Sequence, residues 1–147
     1  MGRLQASKGS IKVFGKTPGE PGSRVPGASI GYMPQELALF PDFTVEETLT
    51  YFGRLYHLKD KVIGQRMEFL LKFLDLSDKR RLVGNLSGGQ KRRVSLAASL
   101  VHNPPLLILD GKTKMEFQTN NYLFLRTNRW SGPSVEAKHL GLFGDFE

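Results

Sequence analysis

The chain has 147 residues, 39% hydrophobic and 24% charged, with a formal net charge of +7 and no cysteine. That length suffices for one domain with a sizeable core, and the lack of cysteine excludes disulfides and every thiolate metal site. No apolar run approaches the ~18 residues of a membrane-spanning helix, the opening MGRLQASKGS lacks the apolar stretch of a secretory signal, and a reducing cytosolic setting is expected.

Residues 9–15, GSIKVFG, alternate between bounding glycines and predict a strand. The Gly- and Pro-dense stretch KTPGEPGSRVPGAS that follows predicts a loop. SIGYM (29–33) predicts a second strand, stopped by Pro34 and leaving Gln35 at its carboxyl end. In FTVEETLTYFGRLYHL, Thr44 and Glu47 have the spacing of a capping box and predict a helix start. Val45, Leu49, Phe52 and Tyr56 then form one apolar stripe, with Gly53 its weak link. A further helix is expected over about Val62 to Leu74, with Met67, Leu70, Leu71 and Leu74 on its buried side. The periodicity assigns these aromatic and Met positions to a core rather than to a cofactor.

Leu86-Ser87-Gly88-Gly89-Gln90 opens a helix expected to run to about His102, whose Ala97, Ala98 and Ser99 would let it lie close against a sheet. Asn103-Pro104-Pro105 ends it. LLILD (106–110) is an apolar strand of the kind found inside parallel sheets, with an acid at its carboxyl end. Residues 111–147 show no sustained period and are expected to form a divergent, poorly ordered tail. The basic clusters KDK (59–61), DKRR (78–81) and KRR (91–93) suit nucleic acid, anionic lipid or nucleotides, and read first as solvated helix ends or loops.

The Ser-Gly-Gly turn before a helix points backbone N–H groups and the positive end of the helix dipole at one place, which suits a phosphate. Ser87 can donate its hydroxyl, and Gly88 and Gly89 allow close approach because they lack a Cβ. Such a turn by itself is also a common N-cap.

The full stretch LSGGQKRRVSLAASLVHNPPLLILD resembles the signature motif, its helix and the Walker B strand of an ATP-binding cassette (ABC) transporter nucleotide-binding domain. IGYMPQELALFPDFTVEETLTYFGRLYHL is similar to that family's Q-loop and helical subdomain. Together with GSIKVFGKTPGEPGSRVPG, the wording is closest to the G and H subfamilies of half-transporters, over roughly residues 2 to 110, and the tail shares none of it.

The resemblance implies an α/β fold: part of a P-loop NTPase-like domain over residues 1–110, with an incomplete parallel sheet and an α-helical signature subdomain. Within it, 28–36 would be the Q-loop region, 43–102 the helical subdomain with the signature helix, and 106–110 the Walker B strand. It further implies that Gln35 reaches a magnesium ion and attacking water, and senses a membrane-spanning partner. Leu86, Ser87, Gly88, Gly89 and Gln90 would face the γ-phosphate of ATP held by a second cassette, and Asp110 would help hold Mg2+ through water. ATP and Mg2+ are the implied cofactors. A second nucleotide-binding domain and a transmembrane domain are the implied partners, at the cytoplasmic face of a membrane. Export of a lipid or other hydrophobic compound follows by family analogy alone.

Two parts of the pattern are not found. No stretch reads G-x-x-x-x-G-K-[ST]. FGKT (14–17) would need its first glycine at Ser10, and DGKT (110–113) would need it at Leu106, inside the apolar strand. In the family the P-loop lies just upstream of the strand resembling SIKVFG, so the sequence is expected to start after it. Gly111 stands where the family has its catalytic glutamate. No D-loop is evident, His139 lacks the apolar strand that precedes a switch histidine, and His57 and His102 are expected on helices as surface or packing residues. A fragment of this kind is expected to show no ATP turnover alone, to leave LLIL with an exposed face or edge, and to be marginally stable. A non-enzymatic module that docks on an intact cassette is the rival reading. A DNA-associated cassette ATPase is a third, disfavoured because residues 36–86 have no room for a long coiled coil.

Overall fold

The computed structural model describes residues 9–25, 27–76 and 78–109, and the backbone of 124–126. Three strands, β1 (Ile30–Met33), β2 (Leu106–Leu109) and β3 (Phe124–Arg126), form a parallel sheet in the order β1-β2-β3. Ile30 faces Leu106, Met33 faces Leu109, and Leu107 faces Phe124. The apolar LLIL segment therefore occupies the central strand, and the edge expected to be exposed along it is paired on both sides. β3 falls in the stretch that showed no sequence period, since three residues are too few to display one.

Between β1 and β2 the chain crosses over through three helices, α1 (Val45–Leu55), α2 (Asp60–Phe73) and α3 (Gly88–Leu100), with a 3-10 turn at Val83–Asn85. The expected capping box starts α1. The Glu47 amide donates to Thr44 Oγ1 (3.1 Å), and the Thr44 amide donates to Glu47 Oε2 (2.7 Å). The helix ends at Leu55, and His57 adopts a left-handed φ of 59° in the loop that follows, so this exposed residue does not lie on a helix as expected. Gly53 is buried where α1 crosses α2. A Cβ there would lie 2.7 Å from Ile63 Cγ1, so the residue that weakens the helix is what lets its neighbour pack.

α2 buries Met67 and Leu70, with Leu74 just past its end and Leu71 half-buried. Two arginines close the carboxyl ends of helices. Arg93 donates to the carbonyls of Leu74 (3.1 Å) and Asp75 (2.9 Å) beyond α2, and Arg66 donates to the Val101 carbonyl (2.9 Å) beyond α3. Residues 94–100 of α3 are all buried. The small residues achieve the close approach expected of them: the Ser99 carbonyl lies so near Gly31 that a Cβ on that strand glycine would collide with it. Asn103, with φ 55°, then turns the chain into Pro104.

Side-chain alternation divides the sheet into two unlike faces. Met33, Leu107 and Leu109 join the main core with Val45, Leu49, Ile63, Leu70, Val94 and Ala97 from the helices. Ile30, Leu106 and Ile108 form a smaller cluster with Val25 and Val13. Tyr32, on that second face, is 50% exposed.

The expected strand over 9–15 is not formed. Val13 and Lys16 exchange backbone hydrogen bonds of 2.8 and 3.1 Å around Phe14 (φ 52°) and Gly15 (φ 76°), an isolated tight turn. Left-handed geometry at both central residues reverses the chain at once, so the alternation has no partner strand. The same turn accounts for the misleading FGKT: Lys16 Nζ donates to the Gly22 carbonyl (3.1 Å) of its own loop.

Candidate functional site

The candidate site is built at the amino end of α3. Leu86 is buried and anchors the turn, while Ser87, Gly88 and Gly89 are exposed. Ser87 Oγ accepts from the Gln90 amide (3.2 Å), and Gln90 Oε1 accepts from the Ser87 amide (3.0 Å), a second capping box. The N-cap expected of a Ser-Gly-Gly turn is therefore formed, and its S-x-x-Q spacing is as readable as that of Thr44 and Glu47. Gln90 is thereby turned back on its own helix.

Nothing lies within 4 Å of where a Cβ would sit on Gly88 or Gly89, and neither has a left-handed φ. Among the described residues, neither backbone geometry nor packing demands glycine there, in contrast to Gly31 and Gly53. What the two residues leave is an open approach to first-turn N–H groups at the positive end of a 13-residue helix. Lys91 and Arg92 follow half-buried, and Arg93 is drawn away to Asp75. An anion fits this donor set; a cation does not.

Gln35 is exposed two residues beyond β1. Because Met33 and Leu109 are register partners, Gln35 leaves the sheet at the edge where β2 also ends. Asp110, the expected metal-side acid, lies outside the described residues, as do Gly111, the second false P-loop and His139. Among the described residues no group of three His, Cys, Asp or Glu could hold a metal ion.

His102, expected on the helix, lies just past the end of α3 and is buried, in keeping with a packing role. Its ring stacks on Tyr56 with centroids 3.7 Å apart and an interplanar angle of 11°, and Nε2 bonds to the Ile30 carbonyl (3.2 Å). Burial, with the Arg66 charge, pushes its pKa down to about 4 against the opposing Ile30 hydrogen bond, so the ring is neutral at pH 7. The Arg66 and Arg93 caps and this stack were all missed in the sequence, because each joins residues far apart in the chain. A surface groove of about 360 Å³ along α1, lined by Glu46, Glu47, Thr50, Tyr51, Arg54 and Leu55, shares no residue with the candidate site.

The ABC transporter family profile matches residues 1–114, most of the chain. The chain belongs to the ABC transporter family. It is 45% identical over 114 residues to ABC transporter G family member 23 of Dictyostelium discoideum, covering 77% of this chain and 16% of that protein. With G family member 20 of the same organism it shares 44% identity over 140 residues, covering 92% and 19%. That second match runs past residue 114, into the stretch expected to share nothing with the family. The Nod factor export ATP-binding protein I of Neorhizobium galegae is 42% identical over 115 residues, covering 77% of this chain and 33% of that protein. A solved ABC transporter ATP-binding subunit superposes with a TM-score of 0.58 at 25% identity, over 71% of this chain and 43% of its own. The α/β fold is thus that of part of an ABC ATP-binding domain, and the chain spans less than a fifth of the length of its Dictyostelium relatives.

Proposed function

We propose that this ABC chain supplies the signature side of an ATP site shared with a second cassette. Ser87, Gly88 and Gly89, framed by Leu86 and Gln90, present a hydroxyl and backbone amides to the γ-phosphate of ATP gripped by the partner's P-loop. Gln35 is the contact toward Mg2+, the attacking water and a transmembrane domain, and Asp110 a water-mediated Mg2+ partner. The Mg2+–ATP complex brings the phosphoanhydride to be cleaved and a cation that neutralises its charge. This chain's own part is to orient and to donate hydrogen bonds.

The observation that supports the reading is the unneeded pair of glycines. Glycine is a poor helix former, and among the described residues nothing requires it at Gly88 or Gly89. An anion approaching the amides from outside does. The assembly would work at the cytoplasmic face of a membrane. Export fits the relatives whose names specify Nod factor export, and a lipid or other hydrophobic cargo is the substrate class proposed.

The test is ATP-dependent co-elution of this chain with an intact, hydrolysis-deficient cassette in the presence of Mg2+. Gly88→Trp should abolish co-elution while shifting the melting temperature by less than about 2 °C, since the substituted side chain points into open space. Binding that ignores ATP yet is lost on Gly88→Trp would replace this reading with that of a docking module. The 147-residue chain alone should show no ATP turnover above background, and turnover that vanished on Gln35→Ala would overturn the proposal.

A further inference from the structure

Two buried side chains hold the carboxyl end of α3. His102 sits one residue past Val101. Its ring lies flat on Tyr56 at the end of α1, and its Nε2 meets the carbonyl of Ile30, the first residue of β1. Arg66 of α2 binds the Val101 carbonyl beside it. One point therefore joins all three helices to the strand that leads to Gln35.

Histidine is a costly choice there. Ile30 offers only an acceptor, so Nε2 carries the proton and Nδ1 is left with a bare lone pair, buried and without a partner among the described residues. An unsatisfied buried polar atom is destabilising, and phenylalanine would stack on Tyr56 without it. What histidine supplies and phenylalanine does not is a directional bond to β1.

We infer that His102 is a positioning residue: with Tyr56 it locks the angle between α3 and β1, and so the placement of Ser87–Gly89 relative to Gln35. The lever is long. Thirteen helical residues span about 20 Å, so a tilt of about 10° at His102 would move Ser87 by about 3.5 Å, more than the length of a hydrogen bond. The functional weight of that displacement rests on the shared-site reading above; the lock itself does not.

The chain has no cysteine, so spin labels at Glu36→Cys and Asn85→Cys, both exposed positions, report the separation of the two segments without background. In the parent the distance distribution should be narrow. His102→Phe, which keeps the stack and removes the bond, should broaden it about twofold while leaving the melting temperature within a few degrees of the parent. His102→Gln, which can donate to Ile30 but cannot stack, should fall between them. A His102→Phe distribution as narrow as the parent's overturns the inference, and so does broadening that merely tracks a lowered melting temperature across the variants. Should His102→Phe fail to fold, Tyr56→Leu is read in its place: broadening supports the lock, and an unchanged width refutes it. Loss of ATP-dependent co-elution in the parent with these widths as stated would remove the shared-site reading alone.

Discussion

Burial holds the His102 pKa near 4, below its unfolded value of 6.5. The unfolded chain therefore binds the extra proton first, and stability falls as pH drops through the window from about 6.5 to about 4, levelling off below it after a loss on the order of 3 kcal/mol. Denaturant melts across that window should show the loss, and His102→Phe should flatten it. Glycines make a second residue-scale contrast. Gly53→Ala forces Ile63 aside and should cost about 1–3 kcal/mol, and Gly31→Ala should cost more because a backbone carbonyl cannot swing away, whereas Gly88→Ala should be nearly neutral to folding. The sequence marked Gly53 as a defect because helix propensity registers only its own helix; the partner that requires it, Ile63, belongs to the next one. Ser87, Gly88 and Gly89 were legible as a turn that opens a helix because the spacing and residue types lie side by side. The Tyr56–His102 stack was not, since its members meet only after the crossover.

At the scale of elements, local signals were read well and pairings poorly. All three helices and the strands at 30–33 and 106–109 stand within a few residues of their sequence boundaries, since capping residues, proline and apolar period act over one or two turns. Thr44→Ala should destabilise the chain by about 1 kcal/mol, measured by equilibrium unfolding. Glu47 is held below its ordinary carboxylate range by hydrogen bonds from the Thr44 amide and hydroxyl, so its half of the cap weakens as pH falls through that lowered range. The turn at Val13–Lys16 shows the opposite case. Alternation over 9–15 met the pattern of a strand, but a strand needs a neighbour, and left-handed Phe14 and Gly15 spend the segment on a reversal. β3 was missed for the complementary reason: its evidence is the pairing with β2, which three residues of sequence do not announce.

For the whole molecule, the α/β class was what the family resemblance implied, and the crossover of helices between two apolar strands agrees with it, since such a crossover has few arrangements other than a parallel sheet. That crossover also governs how the fold assembles. α1 and α2 meet across a short loop, at Gly53 and Ile63, whereas the Ile30 carbonyl and His102 are 72 positions apart. Closing so long a loop is entropically slow, while neighbouring helices can associate early. In pulsed hydrogen exchange during refolding, amides of α1 and α2 should gain protection before those of Leu106–Leu109. A nascent chain leaving the ribosome would therefore carry a docked helical pair while Ile30–Met33 still waits for a companion that has not yet been synthesised.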